Sequence, residues 1–415
     1  MNSISSSFHF KFFSYIFIFI PICLVTGPFL PDLFLSLLAL YFLVLSLKYK
    51  LFRYYKNIFV YIFSAFYFYL LIRGIFSVYP FESLIKYNGP LFYFRYLFFV
   101  LCIKFLLDNS PELIKKFTLV LLSVIIFCCI DGYVQWYFGF NLFGFTSPSI
   151  RVTGIFRDEE ILGHFLAHVV PLCIALLIFI YGNDRKKIFF YILILMISEI
   201  MIFITNDRAG FLKIFQFTLL IVILSNNFKL YRLISFLVSM VIIYMLIKLA
   251  PDSAERFQHT VRDVSSTTIP YMPWAPSHET HFAIAFDMFF DNPIFGQGPQ
   301  LFKTLCQIVP EYQKNCTSHP HNYYIQTLGE LGIVGFSFLL FSFGYFSYLL
   351  IRHFFAIFFT KNTNHIMSDY YLFLICFLFL IFWPLIPHQS FYNNWLNVMV
   401  YLPMGFMIHF KTLVK

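Results

Sequence analysis

The feature that most constrains this chain is a succession of apolar runs, each approaching the length needed to cross about 30 Å of hydrocarbon. They fall near 12–27, 29–47, 57–78, 90–107, 116–138, 160–181, 188–205, 210–226, 231–249, 329–351, 370–386 and 392–410. A chain built this way has one solvent for its core and another for its loops, and the fold class it predicts is an all-α polytopic membrane protein. Composition excludes the soluble alternative: 60% of the residues are hydrophobic and only 12% are charged. The net charge of +9 does not point to nucleic acid, because the basic residues sit in short clusters between apolar runs. No small-residue cleavage site follows the Lys11 region, and Pro28 and Pro31 lead directly into the second run, so a retained first span is expected.

The clusters give an orientation. Lys48, Lys50, Arg53 and Lys56, then Lys115 and Lys116, Arg185 to Lys187, Lys229 and Arg232, Arg352 and Lys361, and Lys411 and Lys415 all fall on one side of the expected membrane. By the positive-inside rule that side is the cytoplasm. The expected organisation is spans one to nine over residues 1–250, an outer loop with a candidate catalytic segment over 251–328, and spans ten to twelve over 329–415. The stretches 147–160, 205–210 and 387–394 are expected on the same outer face as that loop. Six cysteines lie in apolar runs, whereas Cys306 and Cys316 sit in the outer loop, where an oxidising compartment favours a disulfide.

Polar chemistry concentrates in CQIVPEYQKNCTSHPHNYYIQTLGELGIVG, residues 306–335. His321 and Asn322 come just before a run with helical spacing, so an imidazole stands where water meets membrane. The bland reading is a histidine that caps a helix end. The functional reading is a general base, since neutral imidazole takes a proton from a hydroxyl near pH 7. His319 is its neighbour across Pro320. Arg208, in TNDRAG, is either a boundary anchor or a two-point phosphate ligand. Arg151 and Arg157 repeat that choice, with Asp158, Glu159 and Glu160 as competing partners. SHETH, at 277–281, is one residue short of the metalloprotease spacing, and no metal is expected.

The string HNYYIQTLGELGIVG, with His321 and Asn322 followed by Gly332 and Gly335, resembles the signature of bacterial O-antigen ligases in the superfamily they share with O-antigen polymerases and protein-glycosylating oligosaccharyltransferases. RVTGIFRDEEILGHFL, TNDRAG and HFAIAFDMFFDNPIFGQGPQLF resemble further family segments in the expected order. The resemblance implies about twelve transmembrane helices of GT-C type, cytoplasmic termini, and a large periplasmic loop between helices nine and ten. It also implies a cofactor-free, metal-independent, inverting glycosyl transfer at the periplasmic face of the bacterial inner membrane. The donor would be an undecaprenyl-diphosphate-linked glycan, the acceptor a sugar hydroxyl of the lipid A core. His321 would be the catalytic base and Arg208 the diphosphate ligand, with Arg151, Arg157, His278, His319 and Asn322 as substrate-binding residues. One departure is His278, which stands where many relatives have arginine, so Arg151, Arg256 or Arg262 would share the charge neutralisation.

Two rivals stand beside this reading. A polymerase or a protein glycosyltransferase would share the donor and differ in acceptor. A carrier or flippase for a polyprenyl-linked lipid would hold the same diphosphate without chemistry, and predicts ionisable residues along a path through the membrane.

Overall fold

A computed structural model describes residues 7–86, 89–147, 149–182, 184–225, 227, 229–249, 276–313, 316–360 and 365–413. Regular structure among them is helical apart from one isolated bridge between Phe140 and Thr146. The helices are α1 (Phe8–Leu24), α2 (Phe29–Tyr49), α3 (Ile58–Ile75), α4 (Pro80–Leu84), α5 (Phe94–Asn109), α6 (Glu112–Phe138), α7 (Leu162–Tyr181), α8 (Arg185–Ile204), α9 (Arg208–Leu224) and α10 (Lys229–Leu249). Three loop helices follow, α11 (Pro276–Asp291), α12 (Leu301–Ile308) and α13 (Pro310–Gln313). The last are α14 (Tyr323–Phe355), α15 (Asp369–Ile381) and α16 (Asn394–Leu413). Eight of these, α2, α3, α5 to α8, α10 and α14, are long and apolar enough to cross a bilayer, and α1 and α15 are shorter apolar helices. The chain is an all-α, multi-pass membrane protein.

Burial sorts the helices into layers. The α7 sequence LGHFLAHVVPLCIALLI is buried on every side, as are most residues of α15 and α16, which makes these the centre of the bundle. Helices such as α3 and α10 instead show large exposed side chains, among them Phe68, Ile72, Leu237 and Tyr244, a surface suited to lipid. Polar ties fix the helix ends. At one end the indole N–H of Trp395 donates to Leu24 O at 2.9 Å, the Tyr96 hydroxyl donates to Asn394 Oδ1 at 3.0 Å, and Arg95 pairs with Asp32 at 2.8 Å. At the other, His409 Nδ1 lies 2.7 Å from Asp108, and Ser225 and Asn227 both donate to Asp369.

The start of α14 is held by backbone contact. In the turn 293–298, Gln297 N donates to Gly329 O at 3.2 Å and Gly298 N to Glu330 O at 2.8 Å, while Ile333 N donates to Pro293 O at 2.9 Å. Such an approach needs no side chain in the way. Gly332 supplies that, with φ +62° inside the helix and a position where a Cβ would run into Ile294 O and Gly296 N. The carboxylate of Glu330 then accepts from the N–H groups of Gln300 at 3.2 Å and Phe302 at 3.1 Å, holding the start of α12. From α3, Arg73 Nη2 donates to Gly296 O at 2.6 Å and the Tyr69 hydroxyl to Leu331 O at 2.5 Å, so the loop is pinned to the bundle as well.

Candidate active site

His321 and Asn322 precede α14, and the chain there is locked from two directions. Asn322 Oδ1 accepts from the N–H groups of Tyr324 at 2.9 Å and Ile325 at 3.2 Å, an N-cap that starts the helix at Tyr323. Its Nδ2 donates to Pro384 O at 2.8 Å, tying this cap to the segment after α15. One residue earlier, the carbonyl of His321 accepts from His388 N at 2.8 Å. His321 itself has φ +57°, in the left-handed region that non-glycine residues adopt uncommonly, histidine, asparagine and aspartate more often than the rest. Such a backbone is kept only where its surroundings over-determine it, and functional sites are where that happens.

Three imidazoles meet here. The His321 ring lies 4.3 Å from the His319 ring and 5.6 Å from the ring of His281, on α11, centre to centre. Ser318 Oγ lies 2.8 Å from His319 Nδ1. Burial lowers the His281 pKa below the ordinary histidine value, so this ring stays neutral and adds no positive charge beside His321. Among the described residues no group of three or more His, Cys, Asp or Glu is arranged to hold a metal ion. The His278 side chain, with Arg256 and Arg262, lies outside the described residues.

The loop that carries α11 to α13 has its own small core of Ile284, Ala285, Met288, Phe302 and Cys306. Cys306 is disulfide-bonded to Cys316, with Cα atoms 5.3 Å apart, five residues before His321.

The arginines separate. Arg151 pairs with Glu160 at 2.8 Å and approaches Asp207 at 3.8 Å. Asp207 is the N-cap of α9 and accepts from Gly210 N at 3.0 Å, which places half-buried Arg208 in the first turn of that helix. Gly163 and Gly210 let α7 and α9 meet at this point, since a Cβ on Gly210 would lie 2.9 Å from Gly163 O. Arg157 is exposed, with its guanidinium 4.5 Å from the centre of the Phe145 ring, and is not drawn into this contact.

Beneath Arg151 and Asp207 lies a buried polar group that sequence reasoning missed. Lys213, 2% exposed, donates to His168 Nε2 at 3.1 Å, and His168 Nδ1 donates to His164 O at 2.7 Å. The His164 and His168 rings are 4.4 Å apart. The group reaches toward the base candidate through His388, which stacks on Tyr323 at 4.2 Å. Burial first, then the nearby charge of Lys213, holds the His388 imidazole well below its ordinary pKa. The signal was available: an ionisable residue inside an apolar run, and two histidines spaced i, i+4 on one helix face.

The candidate residues thus form two groups, a histidine cluster before α14, and Arg151, paired with Glu160 and Asp207, at the α9 terminus where Arg208 begins the helix. Segments 147–160 and 205–210 touch through Arg151 and Asp207, and 387–394 touches 321 through its backbone. Residues 191–340 match the family model described as O-antigen ligase, which takes in Arg208, α11 to α13, the cap at Asn322 and Gly332. The match bears out the resemblance carried by HNYYIQTLGELGIVG. No curated protein matches the chain.

Proposed function

With an O-antigen ligase match over residues 191–340 as premise, we propose that this protein is a periplasmic-face glycosyltransferase of the inner membrane. It moves an undecaprenyl-diphosphate-linked O-antigen polysaccharide onto a sugar hydroxyl of the lipid A core. The observation that carries the reading is the constrained His321, held at φ +57° between a helix cap and the 388 backbone, with a neutral His281 beside it.

In the reaction, the acceptor oxygen forms a bond to the anomeric carbon as the bond from that carbon to the phosphate oxygen breaks. Undecaprenyl diphosphate leaves with the electron pair, and the acceptor's proton passes to His321. A diphosphate is already a good leaving group. The site must orient two large substrates, stabilise charge on the departing phosphate, and accept one proton. Arg208 is suited to the second task, because a planar guanidinium grips two phosphate oxygens at once. Arg151, paired with Glu160 and 3.8 Å from Asp207, stands at the same end of α9. No carboxylate pair of the glycosidase kind is required.

The test is lipopolysaccharide electrophoresis of a strain lacking this protein, with complementation. Loss of a ligase leaves bare core and accumulated lipid-linked polymer. Loss of a polymerase leaves core capped by a single unit, and normal lipopolysaccharide would contradict both.

A further inference from the structure

The loop helices α12 and α13 wall a cavity of about 650 Å³, counting its open side. Its described lining is Lys303, Gln307, Gln313, Cys316, Thr317 and Ser318. Two carboxamides, two hydroxyls and one ammonium stand beside the disulfide sulfur, and no aliphatic or aromatic side chain is among them. Such a wall does not suit a lipid tail or an apolar peptide, which need apolar surface to bury. Carboxamides and hydroxyls both donate and accept, so they match the closely spaced hydroxyls of a saccharide. Lys303 adds the charge that an anionic group on a sugar, a phosphate or a carboxylate, would meet.

The walls are fixed in advance. Cys316 is bonded to Cys306 on α12, Gln313 Nε2 donates to Gln307 O at 3.0 Å, and the Tyr312 hydroxyl donates to Asp287 of α11 at 3.4 Å. A ligand entering a preformed site is spared the cost of ordering it. The cavity also touches the histidine cluster directly. Ser318 lines it, Ser318 Oγ lies 2.8 Å from His319 Nδ1, and the His319 ring lies 4.3 Å from that of His321. None of the described lining comes from α7 or α9, where Arg151 meets Asp207 and Arg208 begins its helix. That group connects to His321 by another route, through His388, which lies near Lys213 and whose N–H donates to His321 O. Two separate approaches to the base are what an inverting displacement requires, because the attacking hydroxyl and the leaving phosphate occupy opposite faces of the sugar.

We propose that this cavity is a saccharide subsite for the acceptor, and that it selects an acceptor bearing an anionic group. Lys303 meets the anion, Gln307, Gln313, Thr317 and Ser318 meet sugar hydroxyls, and the sugar held there brings the attacking hydroxyl to His321. The inference rests on the glycosyl transfer of the proposed function and adds what the loop recognises in the acceptor.

Lys303→Ala, Gln307→Ala and Thr317→Val test this with purified protein, lipid-linked donor and two synthetic core oligosaccharides that differ only in one phosphate beside the acceptor sugar. In the parent the phosphorylated acceptor should have the lower KM by about tenfold, and Lys303→Ala should erase that difference. Gln307→Ala and Thr317→Val should each raise KM for both acceptors about fivefold, the effect of one neutral hydrogen bond. The donor KM should stay at the parent value in all three, which also shows that the variants are folded. If the parent transfers glycan but the variants keep its acceptor KM, or raise the donor KM instead, the subsite assignment fails while the activity stands. Equilibrium binding of the phosphorylated oligosaccharide separates the other case: binding that depends on Lys303, in a parent that transfers nothing, upholds the subsite and overturns the glycosyltransferase reading.

Discussion

Asn322→Ala removes two attachments at once, and its cost can be worked from the contacts. The cap oxygen serves the N–H groups of Tyr324 and Ile325, and loss of such a cap costs about 1 kcal/mol, within a range of about 0.5–2. The Nδ2 donor serves Pro384 O in a site where Asn322 is only 4% exposed, and stranding that carbonyl costs about 1–3 kcal/mol more. Together the substitution destabilises the start of α14 by about 1.5–5 kcal/mol. Asn322→Asp keeps the cap acceptor and loses the donor, so it should incur only the second term. Amide hydrogen exchange in detergent reads this locally: the Tyr324 and Ile325 amides should exchange at least about 12-fold faster in the Ala variant, the factor for about 1.5 kcal/mol. The Asp variant should lie between Ala and parent. Since His321 hangs from the same cap, glycan transfer should fall in the same order with donor binding retained. Exchange at parent rates, or a fully active Ala variant, would refute the reasoning that this cap positions the base.

Three further outcomes follow from the same contacts. Arg208→Lys keeps a charge at the α9 terminus but gives up the two-point fork, so transfer should drop well below the parent while expression and insertion are unchanged; a parent-level rate would make Arg208 a boundary anchor. Gly332→Ala forces a Cβ against Ile294 O at φ +62°, costing at least the roughly 1–2 kcal/mol of a left-handed residue, and should loosen the 293–298 turn, seen as faster exchange at Gln297 and Gly298; unchanged exchange there would oppose the close-approach account. His388 Nε2 donates to Ile381 O and Nδ1 has no partner, so a proton there finds no acceptor. Its folded pKa is lowered, so its contribution to stability is full above the unfolded value of about 6.5 and is lost as pH falls below it, by up to about 1.4 kcal/mol per pH unit. Thermal denaturation between pH 7.5 and 5 should show that decline and His388→Asn should lessen it, whereas stability that rises on acidification would overturn the argument.

The scaffold was legible because crossing hydrocarbon demands long apolar runs, and each of the twelve runs overlaps one of α1 to α3, α5 to α10 and α14 to α16. The start of α14 was legible as well: His321 and Asn322 were read as preceding a run with helical spacing, and the Asn322 cap begins the helix at Tyr323, ahead of the apolar run from 329. SHETH drew attention as a failed metal motif, and what it contributes is His281 near His321, a contact between α11 and the segment before α14 that no local spacing encodes. Arg151 and Arg157 looked equivalent in sequence, yet one meets Asp207 and the other rests on Phe145, contacts that no local spacing encodes. The ionisable residues were read as gathering at the outer face, in contrast with the path through the membrane that a carrier predicts. Glu199 corrects that: it is buried in α8 and accepts from the Thr218 hydroxyl at 3.0 Å, a pairing that sustains a polar group inside the bundle.

The central claim is that His321 takes the acceptor's proton, and single-turnover transfer by His321→Ala and His319→Ala measures it. Purified protein would be loaded with lipid-linked donor, bound donor quantified, and the reaction started with lipid A core. The account predicts that His321→Ala keeps its bound donor and transfers about 10² to 10⁴ times more slowly, while His319→Ala is milder. A His321→Ala protein that transfers at the parent rate, or two variants equally inactive because neither binds donor, would contradict it.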